Sequence, residues 1–138
     1  MIIEETNTMK MTSEPQSISL IEPIVIEVFE RYEISKDIYG NVLVALTEAM
    51  NNAIQHGNAF DSSKSVCLSY NMCNSMLYFT VCDEGQGFNP EVIPDPTDPQ
   101  NIDKPNGRGV FLMRRLADEV EFEKNGAMVR LGFRIQPN

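Results

Sequence analysis

Glu48 and Asn52 stand one helical turn apart in a segment whose apolar residues Ile38, Val42, Ala45, Ala49 and Ala53 recur at helical spacing. With Ile38 at zero and about 100° per residue, Asn52 falls within about 40° and Glu48 within about 80°, both on the same side. A carboxylate at the border of a buried stripe loses hydration, and a carboxamide there needs hydrogen-bond partners. From this helix alone, a boundary Glu48 that reaches solvent and an Asn52 bonded to a neighbouring loop fit at least as well as a chemical role. A second group is Asp83-Glu84-Gly85-Gln86-Gly87-Phe88, directly after an alternating run. An Asp at a strand end can accept a hydrogen bond from an exocyclic amine, and the glycines let backbone approach a flat ring closely. An ordinary turn is the competing reading. The third group, Gly107-Arg108-Gly109, precedes Val110 to Leu116, a short helical pattern. A glycine-rich loop feeding a helix offers free N–H groups and the positive dipole end to an anion. Lys104 and Arg108 add charge there, while the alternative is a hinge into a helix whose Arg114 and Arg115 face water.

Other glycine signatures fail. Lys64-Ser65 follows Ser63, where a Walker A loop needs Gly. Neither Gly pair reaches the third Gly of a dinucleotide fingerprint, since Pro90 and Leu112 occupy those positions. There is no G-x-S-x-G elbow, and the single histidine, His56, limits triad chemistry and makes a zinc site improbable.

The elements that must position these groups follow from periodicity and punctuation. The first dozen residues fit an edge strand or a disordered end. Ser13 with Gln16 forms a capping box with Pro15 in the first turn, and Pro23 either kinks that helix or Ser19 with Glu22 restarts it. Ser35 caps the second helix, and Gly57 with Asn58 ends it. Val66–Met72 and Leu77–Val81 alternate around the Cys73-Asn74-Ser75 turn. The Pro-rich segment from Phe88 to Asn106 has no period and exceeds the usual loop length, which marks a lid or a disordered insert. Glu119–Lys124 and Ala127–Ile135 flank Asn125-Gly126, favoured in a type I′ turn. The order predicts a single α+β domain over residues 1–138, a two-layer α/β sandwich with helices on one face of a mixed or antiparallel sheet.

The series Glu48, Asn52, Ala53, His56, Gly57, then Asp83-x-Gly85-x-Gly87, then the 88–106 lid and Gly107-Arg108-Gly109-Val110-Phe111-Leu112-Met113 resembles the GHKL ATPases. Within that superfamily it is similar to the small stand-alone anti-sigma-factor serine/threonine kinases, from Ser13 to Ile135. The resemblance implies a Bergerat fold and a pocket for ATP and Mg²⁺. In that reading Asn52 coordinates the Mg²⁺, Asp83 reads the adenine amine, and Gly85 and Gly87 shape the wall over the base. Gly107, Arg108, Gly109 and Val110 cradle phosphates, and Glu48 is the general base for a serine or threonine hydroxyl. It also implies a sigma factor and an antagonist protein as partners, and a homodimer. Two departures stand out: Ala127 follows Gly126 where the family commonly has Thr, and Pro23-Ile24-Val25-Ile26 lacks the Arg carried by the first helix of several relatives. A non-catalytic ATP-dependent binding module is the alternative. A histidine-kinase ATPase domain fits less well, because the only histidine lies inside the nucleotide helix.

Composition bounds these readings. Net charge is −9 over 138 residues, which argues against a general nucleic-acid binder and against docking on anionic lipid. Residues 1–103 carry 4 basic and 16 acidic side chains, residues 104–138 carry 7 and 4, so a small anion can still be held locally. Three cysteines without a C-x-x-C pair fit reduced thiols in a cytoplasm. Met1–Glu5 has neither a basic n-region nor an apolar h-region, and no apolar run reaches membrane-spanning length, so a cytoplasmic protein is expected.

Overall fold

Alternation in period two turns one face of each strand toward a common core. In the computed structural model, which describes residues 7–85 and 105–135, the strands are β1 (Asn7–Thr12), β2 (Ser65–Cys73), β3 (Met76–Cys82), β4 (Glu119–Glu123) and β5 (Met128–Arg134). They form one sheet in the order β1-β2-β3-β5-β4, and every neighbouring pair is antiparallel. The antiparallel form of the predicted α+β sandwich is therefore the one adopted. β1 is an edge strand, as its position in the sequence suggested.

Val66, Leu68 and Tyr70 of β2, Leu77, Phe79 and Val81 of β3, and Val129, Leu131 and Phe133 of β5 are buried. The helices lie over this face. α1 (Ile21–Arg31) contributes Ile21, Val25 and Val28. α2 (Tyr39–Asn51) contributes Val42, Ala45, Leu46, Ala49 and Met50, and α3 (Pro105–Leu116) contributes Val110 and Met113. The opposite face carries half-exposed Cys67, Ser69, Tyr78, Thr80 and Arg130. There Arg130 pairs with Glu121 at 2.9 Å, directly across the β4–β5 register.

Local chemistry explains most boundaries and corrects four. The β2–β3 connection is the two-residue loop Asn74-Ser75, with φ of 49° and 65°, the paired left-handed residues of a type I′ turn. The β4–β5 connection is not. Glu123 pairs with Met128, and the chain between makes a short 3₁₀ turn, Lys124–Gly126, in which Lys124 and Gly126 take positive φ. The Ser13–Gln16 capping box is also absent. A 3₁₀ turn spans Pro15–Leu20 with Glu14 at its N-cap, and α1 starts afresh at Ile21 with Pro23 in its first turn, where a missing N–H costs nothing. Ser35 accepts from the Asp37 N–H at 3.3 Å, but the element it caps is the 3₁₀ turn Lys36–Ile38 that leads into α2. Finally, α3 begins at Pro105 rather than at Val110, so the glycine pair lies inside the helix. Pro105 suits a first helical position.

Candidate functional site

α2 stops being an α-helix at Asn51. Asn52–Gly57 continue as a π-helical turn, and the Asn58 N–H closes it on the Ala53 carbonyl at 2.8 Å, an i to i−5 bond. Such widened turns recur at functional sites, because one extra residue per turn re-aims the side chains. Asn52 opens the turn and is 9% exposed. Among the described residues its buried Nδ2 has no hydrogen-bond partner, an arrangement that costs free energy unless something else completes it. Glu48, half-buried one turn earlier, has its pKa raised by burial, while the Arg108 guanidinium pulls it back down.

α3 closes the other side. A methyl placed on Gly109 would lie 3.1 Å from Asn52 Oδ1 and 3.3 Å from Glu48 Oε2. Glu48 and Asn52 therefore both face Gly109, with the Arg108 charge close enough to act on Glu48. An α-helix that starts at Pro105 leaves unpaired only the amides of its first turn. Gly107 belongs to that turn, whereas Gly109 and Val110 lie deeper, and Val110 is a core residue at 1% exposure. Arg114 and Arg115 do not converge on this place: they lie over the rings of Phe122 and Phe111 at 5.7 and 5.6 Å.

Asp83 follows β3 immediately. Its N–H donates to the Ala127 carbonyl at 2.9 Å, and its Oδ1 accepts from the Gly85 N–H at 2.8 Å. Burial raises the Asp83 pKa, against the Gly85 N–H and the Lys64 charge, which lower it. The exit of the π turn packs against this carboxylate so tightly that a Cβ on Gly57 would overlap the Asp83 carboxyl group, and one on Gly85 would overlap the Gly57 carbonyl. In this arrangement Gly85 makes room for the Gly57 backbone. Gly87 and the lid as far as Lys104 lie outside the described residues; Pro105 and Asn106 open α3.

Sequence reasoning missed the residue that ties these loops together. Asn58 is fully buried; its Nδ2 donates to Ser13 Oγ at 2.7 Å and to the Ser65 carbonyl at 3.0 Å, and its Oδ1 accepts from the Glu84 N–H at 2.8 Å. Ser13 in turn donates to the Lys64 carbonyl at 2.8 Å. The end of β1, the exit of the π turn, the start of β2 and the Asp83 loop are thus held by one side chain. The helix-ending Gly57-Asn58 pair was its only sequence signal.

Asn52, Asp83, Ala127 and Met113 line one narrow cleft. A roomier depression of about 700 Å³ lies elsewhere, among Ile26, Phe29, Glu30 and Tyr39. Glu33 and Lys36 also line it, but it includes none of Glu48, Asn52, Asp83 or Arg108, so chemistry rather than size locates the site. Among the described residues no three His, Cys, Asp or Glu side chains gather as a metal cage. A hard cation here would rest on the Asn52 carboxamide oxygen plus oxygens of its own ligand, a donor set Mg²⁺ accepts. Asn52 Oδ1 and Glu48 Oε2, 3.1 and 3.3 Å from the Cβ position of Gly109, turn oxygens toward one place and fit that role.

A buried amide beside a carboxylate on one helix, an Asp at a strand end and a third helix entering with a glycine pair define an ATPase domain of the histidine kinase-like class. Residues 11–133 match the histidine kinase-like ATPase domain, and the chain belongs to that family. It is similar to proteins named serine-protein kinase RsbW. That of Halalkalibacterium halodurans is 25% identical over 131 residues, spanning 91% of this chain and 80% of that protein. That of Bacillus subtilis is 25% identical over 126 residues (87% and 79%), and that of Staphylococcus epidermidis 27% over 127 (87% and 80%). The crystal structure of the RsbU and RsbW domains of Rv1364c from Mycobacterium tuberculosis shares the fold, with a TM-score of 0.68 at 14% identity; the match covers 97% of this chain and 34% of that one. Among the described residues no helix is long and apolar enough to cross a membrane.

Proposed function

We propose that this chain is an ATP-dependent serine/threonine-protein kinase of the anti-sigma-factor type, which binds a sigma factor and phosphorylates a Ser or Thr of an antagonist protein. The observation that carries this reading is the convergence of Glu48 and Asn52 on Gly109 beside Arg108. Phosphoryl transfer asks for positioning and charge neutralisation more than for covalent chemistry. Bound Mg²⁺ would supply neutralisation of the phosphate charge, and Asn52 Oδ1 is the protein atom that would hold it. Asp83 would orient the adenine through the carboxylate that Gly85 fixes. The first-turn amides of α3, Gly107 among them, and the Arg108 guanidinium would bind phosphate oxygens. Glu48 would accept the proton of the incoming hydroxyl. Its pKa, raised by burial, brings it closer to the working range of a general base. Cytoplasmic location and a homodimer belong to the same proposal.

Ala127 favours a second reading, a regulatory module in which ATP orders the protein for partner binding without transfer. The Ala127 carbonyl engages the Asp83 N–H, but its side chain brings no hydroxyl to that carboxylate. A thermal-shift titration with MgATP, MgADP and MgGTP, followed by incubation of labelled ATP with a candidate antagonist, separates the cases. A ligand at 100 times its Kd stabilises by about 2.7 kcal/mol. Adenine-selective stabilisation with transfer to a Ser or Thr supports the kinase; stabilisation without transfer supports the module. No shift with any nucleotide refutes the site. Glu48→Gln should leave the shift in place and lower transfer by about 10²–10⁴-fold.

A further inference from the structure

The open face of the sheet holds a feature that nucleotide chemistry does not use. Cys67 of β2 and Cys82 of β3 are directly opposed in the antiparallel register. They share this face with Ser69 and Thr80, both are free thiols, and both are partly exposed. Directly opposed residues on antiparallel strands have Cα atoms about 4.5–5.5 Å apart, within the about 4.4–6.8 Å that a disulfide spans. The surroundings are basic on either side: Lys10 stands opposite Cys67 on β1, and Lys124 Nζ contacts Cys82 Sγ at 4.0 Å. Cys73 is different. It is buried, faces Met76 beside the hairpin turn, and lies six residues along β2 from Cys67, about 20 Å at the rise of a strand, so it can bridge neither of the others.

We propose that Cys67 and Cys82 form a reversible oxidation site that closes to a disulfide across β2 and β3, with hydrogen peroxide as the oxidant. One cysteine sulfur, as thiolate, attacks the peroxide; an S–O bond forms as the O–O bond breaks, leaving a sulfenic acid and hydroxide, which takes up the thiol proton as water. The opposing thiol sulfur then attacks the sulfenic sulfur, the S–S bond forms, the S–O bond breaks, and its oxygen leaves as a second water. Two thiols lose two electrons and the peroxide gains them. The Cα separation fits, but Cβ atoms of opposed strand residues stand about 4.5–5.5 Å apart against the about 3.5–4.5 Å of a disulfide, so closure draws the strands together and favours an easily reduced, regulatory bond.

The site sits where such a change is felt. Cys82 hands the chain directly to Asp83, whose N–H is held by Ala127, and Lys124, which touches Cys82, also accepts the Ala127 N–H through its carbonyl at 3.1 Å. Drawing Cys82 toward β2 pulls on Asp83 through the chain and, through Lys124, on the Ala127 that holds its N–H. Weaker adenine-nucleotide binding in the oxidised protein follows; this consequence, unlike the disulfide itself, rests on the nucleotide-site reading.

The test uses the full chain, reduced and then treated with stoichiometric hydrogen peroxide. Thiol titration should fall from three to one, non-reducing peptide mapping should show a Cys67–Cys82 cross-link, and dithiothreitol should restore all three. Cys73→Ser should cross-link as the wild type does, while Cys67→Ser and Cys82→Ser should not. Oxygen added to either cysteine without a cross-link, cross-links between chains, or unreacted Cys67 and Cys82 would each overturn the proposal. The MgATP Kd is then compared between the two forms. An equal Kd with the disulfide formed rejects its coupling to Asp83, and absence of binding in both forms counts against the nucleotide site while the disulfide stands.

Discussion

Gly109 is where the geometry of the site can be perturbed by a single methyl group. Its helical position in α3 imposes no need for glycine on backbone grounds, since Gly109 shows no positive φ. Alanine there gains helix propensity of about 0.8–1.0 kcal/mol. Against this, the new Cβ would sit 3.1 Å from Asn52 Oδ1, 3.3 Å from Asn52 Nδ2 and 3.3 Å from Glu48 Oε2, so these side chains must retreat by a few tenths of an ångström. Overpacking a rigid core costs about 1–3 kcal/mol, but among the described residues Asn52 Nδ2 has no hydrogen bond to hold it, and the lower end of that range applies. The two effects nearly cancel in stability, leaving a net change within about 1 kcal/mol. They do not cancel in catalysis. A misplacement of about 1 Å costs on the order of 10²-fold in rate, and a shift of a few tenths in both the base and the metal-holding amide should lower transfer about 10- to 100-fold. Gly40→Ala is the control, because a Cβ at Gly40 meets nothing within 4 Å. It should raise Tm by roughly 3–5 °C per kcal/mol gained and leave transfer unchanged. The assays are thermal denaturation and labelled-phosphate transfer on both variants. A Gly109→Ala protein that transfers phosphate as fast as wild type refutes the idea that Glu48 and Asn52 work as a positioned pair under α3.

Three other outcomes follow from the same geometry. Burial sets the Glu48 pKa above its unfolded value, so Glu48 favours the fold below the unfolded pKa and loses that contribution as pH rises through the folded one. Glu48→Gln should therefore show a higher Tm than wild type at pH 7, with the gap closing as pH falls below the carboxylate range; a constant gap from pH 3 to pH 8 contradicts it. Asn58→Ala removes one acceptor and two donors from buried or part-buried bonds, and each orphaned group costs about 1–3 kcal/mol. Urea unfolding should show a loss of about 3 kcal/mol or more, and a loss under 1 kcal/mol would deny Asn58 its place at the centre of the loops. Gly57→Ala forces a methyl onto the Asp83 carboxyl group and should abolish the thermal shift with MgATP; a retained shift would detach Asp83 from nucleotide recognition.

The sequence made legible whatever local relations govern. The strands announced themselves through Val66, Leu68, Tyr70 and Leu77, Phe79, Val81, and the Asn74-Ser75 turn fell where the alternation broke. The wheel placed Glu48 and Asn52 on one face because α2 keeps a regular 3.6-residue repeat as far as Asn51. It could not foresee the π turn that begins at Asn52, since a wheel with a fixed step has no place for an added residue per turn. Ser13 was misread for a related reason. A capping box is defined by a spacing of three residues, whereas the partners of the Ser13 hydroxyl are Lys64 and Asn58, 51 and 45 positions away. Asn125-Gly126 carried the right dipeptide for a two-residue loop, yet the register left four residues between Glu123 and Met128, so the turn had to lengthen.

The glycines carry the argument furthest. Spacing groups Gly85 with Gly87 and Gly107 with Gly109, as though each pair were a unit. In the fold, Gly85 makes room for the carbonyl of Gly57, Gly57 makes room for the Asp83 carboxyl group, and Gly109 makes room for Asn52 and Glu48. Each close approach joins two elements far apart in the chain: the exit of α2 with the end of β3 in the first two cases, and α2 with α3 in the third. The site is assembled from these exits, and it closes only where side chains are missing. Spacing alone pairs the glycines by sequence; the structure shows which opposing groups would collide if any one of these three acquired a Cβ. That is why substitutions at Gly57 and Gly109 should separate the two halves of the site, the first acting through Asp83 and the second through Glu48 and Asn52, although both residues change only by a methyl group.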